Sequence, residues 1–182
     1  MSRIILVTGG TRSGKSSFGE ELLKEKHKVL YIATAIITDD EMKERVEIHR
    51  SRRNKNWETF EGYKELKKVV METECKYIML ECVTTMITNL IFDKYDDVDN
   101  LTKEEIQVLE EEISGQFNEL IYACRETDKE LVIITNEVGM GLVSPYKLGR
   151  IFTDITGRIN QMLGRLSDEA YFIAAGMPLK LK

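Results

Sequence analysis

An α/β fold, built on a mostly parallel sheet with helices on both faces, is the architecture that this 182-residue sequence predicts. Three observations predict it. Short, nearly continuous apolar runs recur, as strands buried on both faces require. Amphipathic helical stretches alternate with those runs, the pattern of parallel βαβ units. A glycine-rich turn, Gly9-Gly10-Thr11-Arg12-Ser13-Gly14-Lys15-Ser16, joins the first run to the first helical stretch and fits G-x-x-x-x-G-K-[ST]. Together they specify the P-loop NTPase type, with a RecA-like sheet, as one domain over residues 1–182.

The elements follow in order. Arg3-Ile4-Ile5-Leu6-Val7-Thr8 reads as the first strand, and a helix follows the glycine-rich turn to about Lys26, with Phe18, Leu22 and Leu23 on one side. Val29-Leu30-Tyr31-Ile32-Ala33 reads as the second strand. Thr38-Asp39-Asp40-Glu41 matches a capping box, opening a helix expected to run through His49 to about Arg53. Residues 57–60 suit a short extended piece and residues 63–73 a helix. Tyr77-Ile78-Met79-Leu80 is strand-like and ends at Glu81; residues 83–95 suit a helix, and residues 93–100 an acidic, solvated loop.

Thr102-Lys103-Glu104-Glu105 is a second capping box, ahead of a long helix with the apolar stripe Ile106, Leu109, Ile113, Phe117, Leu120, Ile121 and Cys124. Leu131-Val132-Ile133-Ile134-Thr135 is the next buried strand, residues 146–166 are helical by pattern, and Ala170-Tyr171-Phe172-Ile173-Ala174 reads as the last strand.

Composition narrows the classes. Hydrophobic residues at 42% and charged residues at 31% are those of a soluble globular chain. No apolar run reaches the ~18 residues of a membrane helix, and none forms a secretory leader at the start, so a cytoplasmic protein is expected. The net charge of −5 argues against a nucleic-acid partner. Cys75, Cys82 and Cys124 show no metal spacing and read as buried, reduced thiols.

The glycine-rich turn carries the chemistry. Its glycines let backbone amides converge on phosphate oxygens, and the helix that follows turns its positive end to the same anion. Lys15 is placed to reach the β and γ phosphates of ATP or GTP, and the Ser16 hydroxyl to ligate Mg2+. Glu81, at the carboxyl end of its strand, is the candidate second oxygen donor to that ion, with Glu137 a weaker one. Asn54-Lys55-Asn56-Trp57 lacks the carboxylate of a guanine-reading NKxD segment, and Asp154-Ile155-Thr156-Gly157 matches DxxG only inside a predicted helix. A switch GTPase is therefore set aside.

On the helix opened by Thr38, Val46, His49 and Arg53 share a stripe, with Arg45 and Arg52 adjacent. Guanidiniums suited to a polyphosphate and a neutral imidazole suited to attack phosphorus make His49 a candidate nucleophile. A solvated histidine on a polar, basic helix is the plainer alternative. The classes left open by the residues alone are a P-loop kinase of some small metabolite and a nucleotide-switched assembly protein.

Segments along the whole chain resemble the adenosylcobinamide kinase/adenosylcobinamide-phosphate guanylyltransferase family. They are the phosphate loop, Tyr31-Ile32-Ala33-Thr34, Asp39-Asp40-Glu41-Met42, Arg45 with His49, Leu80-Glu81-Cys82-Val83-Thr84-Thr85-Met86, Thr88-Asn89-Leu90, Thr135-Asn136-Glu137-Val138-Gly139-Met140-Gly141 and Gly157-Arg158-Ile159-Asn160-Gln161. Ile48 stands where some relatives carry a second histidine, Glu81 where many have aspartate, and Ser144 precedes Pro145 where proline often comes directly.

The resemblance implies a bifunctional enzyme of cobalamin assembly. ATP or GTP would phosphorylate the aminopropanol hydroxyl of adenosylcobinamide, and GTP would then give GMP to that phosphate through a guanylylated His49. It also implies that Ala33, Thr34, Ala35, Arg50, Ser51, Arg52, Arg53, Glu61 and Glu81 surround the guanine nucleotide, and that the enzyme is a homotrimer.

Overall fold

A computed structural model of the chain describes residues 2–36, 44 and 54–182. Among them, seven strands form one sheet: β1 (Ile4–Gly9), β2 (Val29–Ala33), β3 (Glu58–Glu61), β4 (Tyr77–Glu81), β5 (Glu130–Asn136), β6 (Glu169–Ala174) and β7 (Met177–Lys180). Their order is β3-β2-β4-β5-β1-β6-β7. Every pairing is parallel except β6 with β7. The described helices are α1 (Lys15–Leu23), α2 (Leu66–Glu72), α3 (Val83–Lys94), α4 (Lys103–Glu126) and α5 (Lys147–Leu166).

Side-chain alternation divides the central strands between two cores. Ile4, Leu6, Leu30, Ile32, Ile78, Leu80, Leu131 and Ile133 face one side and pack with apolar residues of α2, α3, α4 and α5. Ile5, Val7, Val29, Tyr31, Met79, Val132 and Ile134 face the other and pack with Leu23 of α1 and with Trp57. Both faces are covered, so these strands read as unbroken apolar runs. Ile133 lies in an interior strand with no solvent exposure, and its truncation to alanine should cost about 2–5 kcal/mol.

Local chemistry sets the ends of the elements. Thr102 Oγ1 accepts from the Glu105 N–H (3.2 Å) and Glu105 Oε2 accepts from the Thr102 N–H (2.8 Å), the reciprocal cap expected from the sequence. Lys129 buries its ammonium under the end of α2, donating to the carbonyls of Val70 (2.6 Å) and Thr73. Those are carbonyls a helix end leaves without intrahelical donors.

Four expectations need correction. The chain does not end its sheet at β6: a two-residue turn, Ala175 and Gly176, both at positive φ, returns it as the antiparallel β7. Pro178 masks this strand in the sequence, yet at an outer strand its missing N–H costs no ladder bond. Helix α1 stops at Leu23, short of Lys26. Helix α2 begins at Leu66 rather than residue 63, because Tyr63 and Lys64 are drawn to Asp93 (2.9 and 2.7 Å) and Glu65 adopts φ 54°. Cys75 and Cys124 are buried free thiols, and burial pushes the Cys124 thiol up to about 12, but Cys82 is only partly buried. The helix expected from Thr38 through His49 lies outside the described residues.

Candidate nucleotide site

The strand register gathers the expected site residues on one edge of the sheet. Ala33 is paired with Glu61 on one side and with Glu81 on the other. Gly9, the last residue of β1, is paired with Asn136 and with Ile173. The carboxyl ends of β3, β2, β4, β5 and β1 therefore open together, where α/β sheets of this kind take their ligands.

The phosphate loop leaves β1 at Gly9 and enters α1 at Lys15. A turn closes it, with the Ser13 N–H donating to Gly10 O (3.2 Å). Gly14 is the N-cap at φ 99°, a left-handed conformation that side chains disfavour. The unpaired amides of the first turn of α1 then start directly at the loop, an anion-binding arrangement. Lys15 is buried, and its Nζ donates back across the loop to Gly10 O (3.1 Å). Ser13 Oγ is buried with no hydrogen-bond partner among the described residues, a polar atom left for a ligand oxygen. Thr11 and Arg12 are exposed at the tip, Arg12 at φ 57°.

The turn between β6 and β7 supports this loop from behind. The Gly176 N–H donates to Ser13 O at 2.8 Å. A Cβ on Gly14 would lie 3.2 Å from Gly176 Cα. The last two strands thus contribute to the position of the phosphate cradle, a relationship absent from the expectations. An Ala-Gly pair between two apolar stretches was the signal that could have found it.

Ser16 Oγ donates to Glu81 Oε1 at 2.8 Å, joining the first turn of α1 to the end of β4. A hydroxyl and a carboxylate at the end of a strand beside a phosphate loop suit Mg2+, which takes hard oxygen donors and keeps water and phosphate oxygens in its remaining positions. The two residues expected to ligate Mg2+ are thus brought together.

Thr34, one residue past β2, is fully buried. Its hydroxyl accepts from the Cys82 N–H (2.8 Å) and lies within donating distance of Cys82 O (2.9 Å) and Glu81 O (3.1 Å). The Glu81–Cys82 peptide that it grips is cis. Burial raises the Cys82 thiol pKa, the Glu81 carboxylate adds to the rise, and hydrogen bonds from Thr84 and Thr85 only partly oppose it, so the sulfur stays a neutral thiol.

A polar network lies behind this edge. Asn136 Nδ2 donates to Thr84 Oγ1 (2.7 Å), and Asn160 Nδ2 donates to Asn136 O (3.0 Å). Thr135 Oγ1 donates to Asn160 Oδ1 (2.7 Å). Asn89, Asn136 and Asn160 had no assigned role in the sequence; amides at strand ends and on helix faces show their partners only once the chain is folded. Glu137 turns inward on its own loop, its Oε1 accepting from the Gly139 N–H (2.7 Å).

Ala35 is partly buried and Glu61 exposed. The DxxG letters at residues 154–157 lie inside α5, as expected. His49, Arg50, Ser51, Arg52 and Arg53 lie outside the described residues.

Known proteins resemble this chain in fold and in sequence. The fold is similar to a RadB recombinase structure, with TM-score 0.50 and 15% identity over 93% of this chain and 73% of that one. It is also similar to an ATPase of the type III secretion system of pathogenic bacteria, with TM-score 0.58 and 9% identity over 98% of this chain and 56% of that one. At such identities the likeness shows the P-loop NTPase fold alone. The sequence is 42% identical over 181 residues to the bifunctional adenosylcobalamin biosynthesis protein CobU of Escherichia coli K12, covering 98% of this chain and 99% of that protein. It is 32% identical to CobP, the bifunctional adenosylcobalamin biosynthesis protein of Pseudomonas aeruginosa, over 97% of this chain and 96% of that one. The family described as cobinamide kinase / cobinamide phosphate guanyltransferase matches residues 5–181, and the chain belongs to that family.

Proposed function

We propose that this chain performs both reactions of its family at the one phosphate loop, dividing the work between Lys15 and His49. In the first, the terminal phosphate of ATP or GTP passes to the aminopropanol hydroxyl of adenosylcobinamide. In the second, a His49 imidazole nitrogen attacks the α phosphorus of GTP, a P–N bond forms, and pyrophosphate leaves. The phosphate oxygen of adenosylcobinamide phosphate then attacks the same phosphorus, the P–N bond breaks, and adenosyl-GDP-cobinamide results.

The observation that carries this reading is the buried Lys15 arched over a phosphate loop whose Ser16 is bonded to Glu81. Loop amides and Lys15 hold the phosphates in line, and the backbone dipoles are aimed before substrate arrives, so little reorganisation is needed. Ser16 and Glu81 are the donors that would hold Mg2+, whose charge offsets that of the phosphates. Around the guanine we place Ala33, Ala35, Glu61 and the basic run Arg50, Ser51, Arg52 and Arg53; Thr34, whose hydroxyl is buried against the Glu81–Cys82 backbone, is left out of that set. We also place the enzyme in the cytoplasm, as a homotrimer; among the described residues no helix is long and apolar enough to cross a membrane.

Incubation with GTP labelled at the α phosphorus tests the assignment. Acid-labile, base-stable label on His49 is expected, and a stoichiometric experiment without it removes the guanylyltransferase half. His49→Ala should still phosphorylate cobinamide while losing GMP transfer; equal loss of both reactions would deny the two residues separate roles.

A further inference from the structure

We infer that Thr34 is a positioning residue that aims the Glu81 carboxylate at Ser16 through the backbone, and that Asn89 holds Thr34 in place for that task. The inference rests on the reading of Glu81 as an acid of the metal site.

The geometry separates this role from a contact with nucleotide. The Thr34 side chain has no exposed surface, so its hydroxyl is turned into the protein and away from the open edge. It is engaged with the peptide that follows Glu81, accepting the Cys82 N–H at 2.8 Å and lying 2.9 Å from Cys82 O. The Thr34 N–H donates to Glu81 O at 2.9 Å, one step beyond the Ala33 and Glu81 pair of the β2–β4 ladder. The carboxyl side of the Glu81 α-carbon, from its own carbonyl through the Cys82 peptide, is therefore tied to the residue that follows β2, while the β2–β4 ladder holds Glu81 itself opposite Ala33. Thr34 is held in turn, because Asn89 Nδ2 of α3 donates to Thr34 O at 2.6 Å. A carboxylate whose backbone is fixed in this way has little freedom beyond its own side-chain torsions. Its contact with Ser16 Oγ is then set by the fold before an ion arrives.

Valine at position 34 keeps the shape, removes the hydroxyl, and leaves the Cys82 amide without its acceptor. Serine restores the hydroxyl without the methyl group. The readout is Mn2+ affinity for the enzyme–GTP complex, by electron paramagnetic resonance, beside the affinity for a fluorescent GTP analogue in EDTA. Thr34→Val should weaken Mn2+ binding about tenfold, the scale of one buried hydrogen bond lost with its partner left unsatisfied, and leave metal-free nucleotide binding within about twofold. Thr34→Ser should recover wild-type Mn2+ affinity. Asn89→Leu, which leaves the Thr34 side chain untouched, should shift Mn2+ affinity in the same direction by a smaller factor, and serves if Thr34→Val fails to fold.

Wild-type Mn2+ affinity in both Thr34→Val and Asn89→Leu overturns the inference. So does equal loss in the valine and serine variants, or metal-free nucleotide binding that falls as far as Mn2+ binding. Glu81→Gln separates the two levels. If it leaves Mn2+ affinity unchanged, the metal-site reading fails and this inference with it. If it weakens Mn2+ binding while Thr34→Val does not, only the positioning role is lost.

Discussion

Ser16 Oγ and Glu81 Oε1 are 2.8 Å apart, a hydrogen bond between residues 65 positions apart in the chain. It links the first turn of the phosphate-binding helix to the end of an interior strand, so each residue constrains the other even without ligand. Ser16→Ala and Glu81→Leu should each cost about 1 kcal/mol of stability in the ligand-free protein, the typical worth of such a bond. The double variant should cost clearly less than their sum, with a coupling of about 0.5–1 kcal/mol, as for residues in direct contact. Denaturant titration of the four proteins measures this. Strict additivity would show that the contact contributes nothing in solution.

Lys15 is a long cation with only 8% exposure, held 3.1 Å from Gly10 O. A charge so enclosed is costly without an anion to meet it, and the phosphates of a bound nucleotide supply one. Lys15→Ala should therefore weaken nucleotide binding and cripple both cobinamide phosphorylation and GMP transfer. Equilibrium binding and the two separate assays check it. Surviving kinase activity would show that the loop has been assigned wrongly.

Two glycines at positive φ make a controlled pair. Gly14 has φ 99°, and an added Cβ would sit 3.2 Å from Gly176 Cα, a backbone atom that cannot swing away. Gly176 has φ 79°, but an added Cβ meets nothing within 4 Å. Gly176→Ala should carry the conformational cost alone, about 1–2 kcal/mol, and leave the nucleotide KM near wild type, since the N–H to Ser13 O remains. Gly14→Ala should cost more stability and raise KM, because the cradle itself must shift. Denaturation midpoints and initial rates compare them, and equal effects would contradict the crowding argument.

How far the sequence reached depended on whether an element's cause is local. Apolar runs placed β1, β2, β4 and β5 within a residue or two, because a strand buried on both sides needs little else. The Thr102 cap was legible since its two partners are three residues apart. The start of α2 was not, because Asp93 on another helix draws Tyr63 and Lys64 away. Strand β7 was hidden by Pro178, which is tolerated because β7 is the outer strand of the sheet among the described residues. Within the site, the loop, Ser16 and Glu81 were legible from motif and strand end. The inward turn of Thr34 and the links from Asn89, Asn136 and Asn160 were not, since a polar letter does not name its partner.

The acid side of the stability profile should depend on Asp168. Its Oδ2 accepts from the Ile4 N–H at 2.7 Å and its Oδ1 from Arg125 at 2.9 Å, pinning the start of β1 to the end of α4. Burial works to raise the pKa of this carboxyl, but the Arg125 hydrogen bond, the Ile4 amide and the charges of Arg125 and Lys182 together hold it below the ordinary aspartate value. A depressed folded pKa means that the unfolded chain binds the proton more readily. The stabilisation is therefore complete above the unfolded value of about 3.9 and is lost as pH falls through the lower folded value. Asp168→Asn should reduce stability near neutrality and flatten the decline below about pH 4. The group is partly exposed, so salt should weaken the effect. Denaturation midpoints measured from pH 7 down to pH 3 in both proteins test this, and parallel curves would remove Asp168 from the acid response.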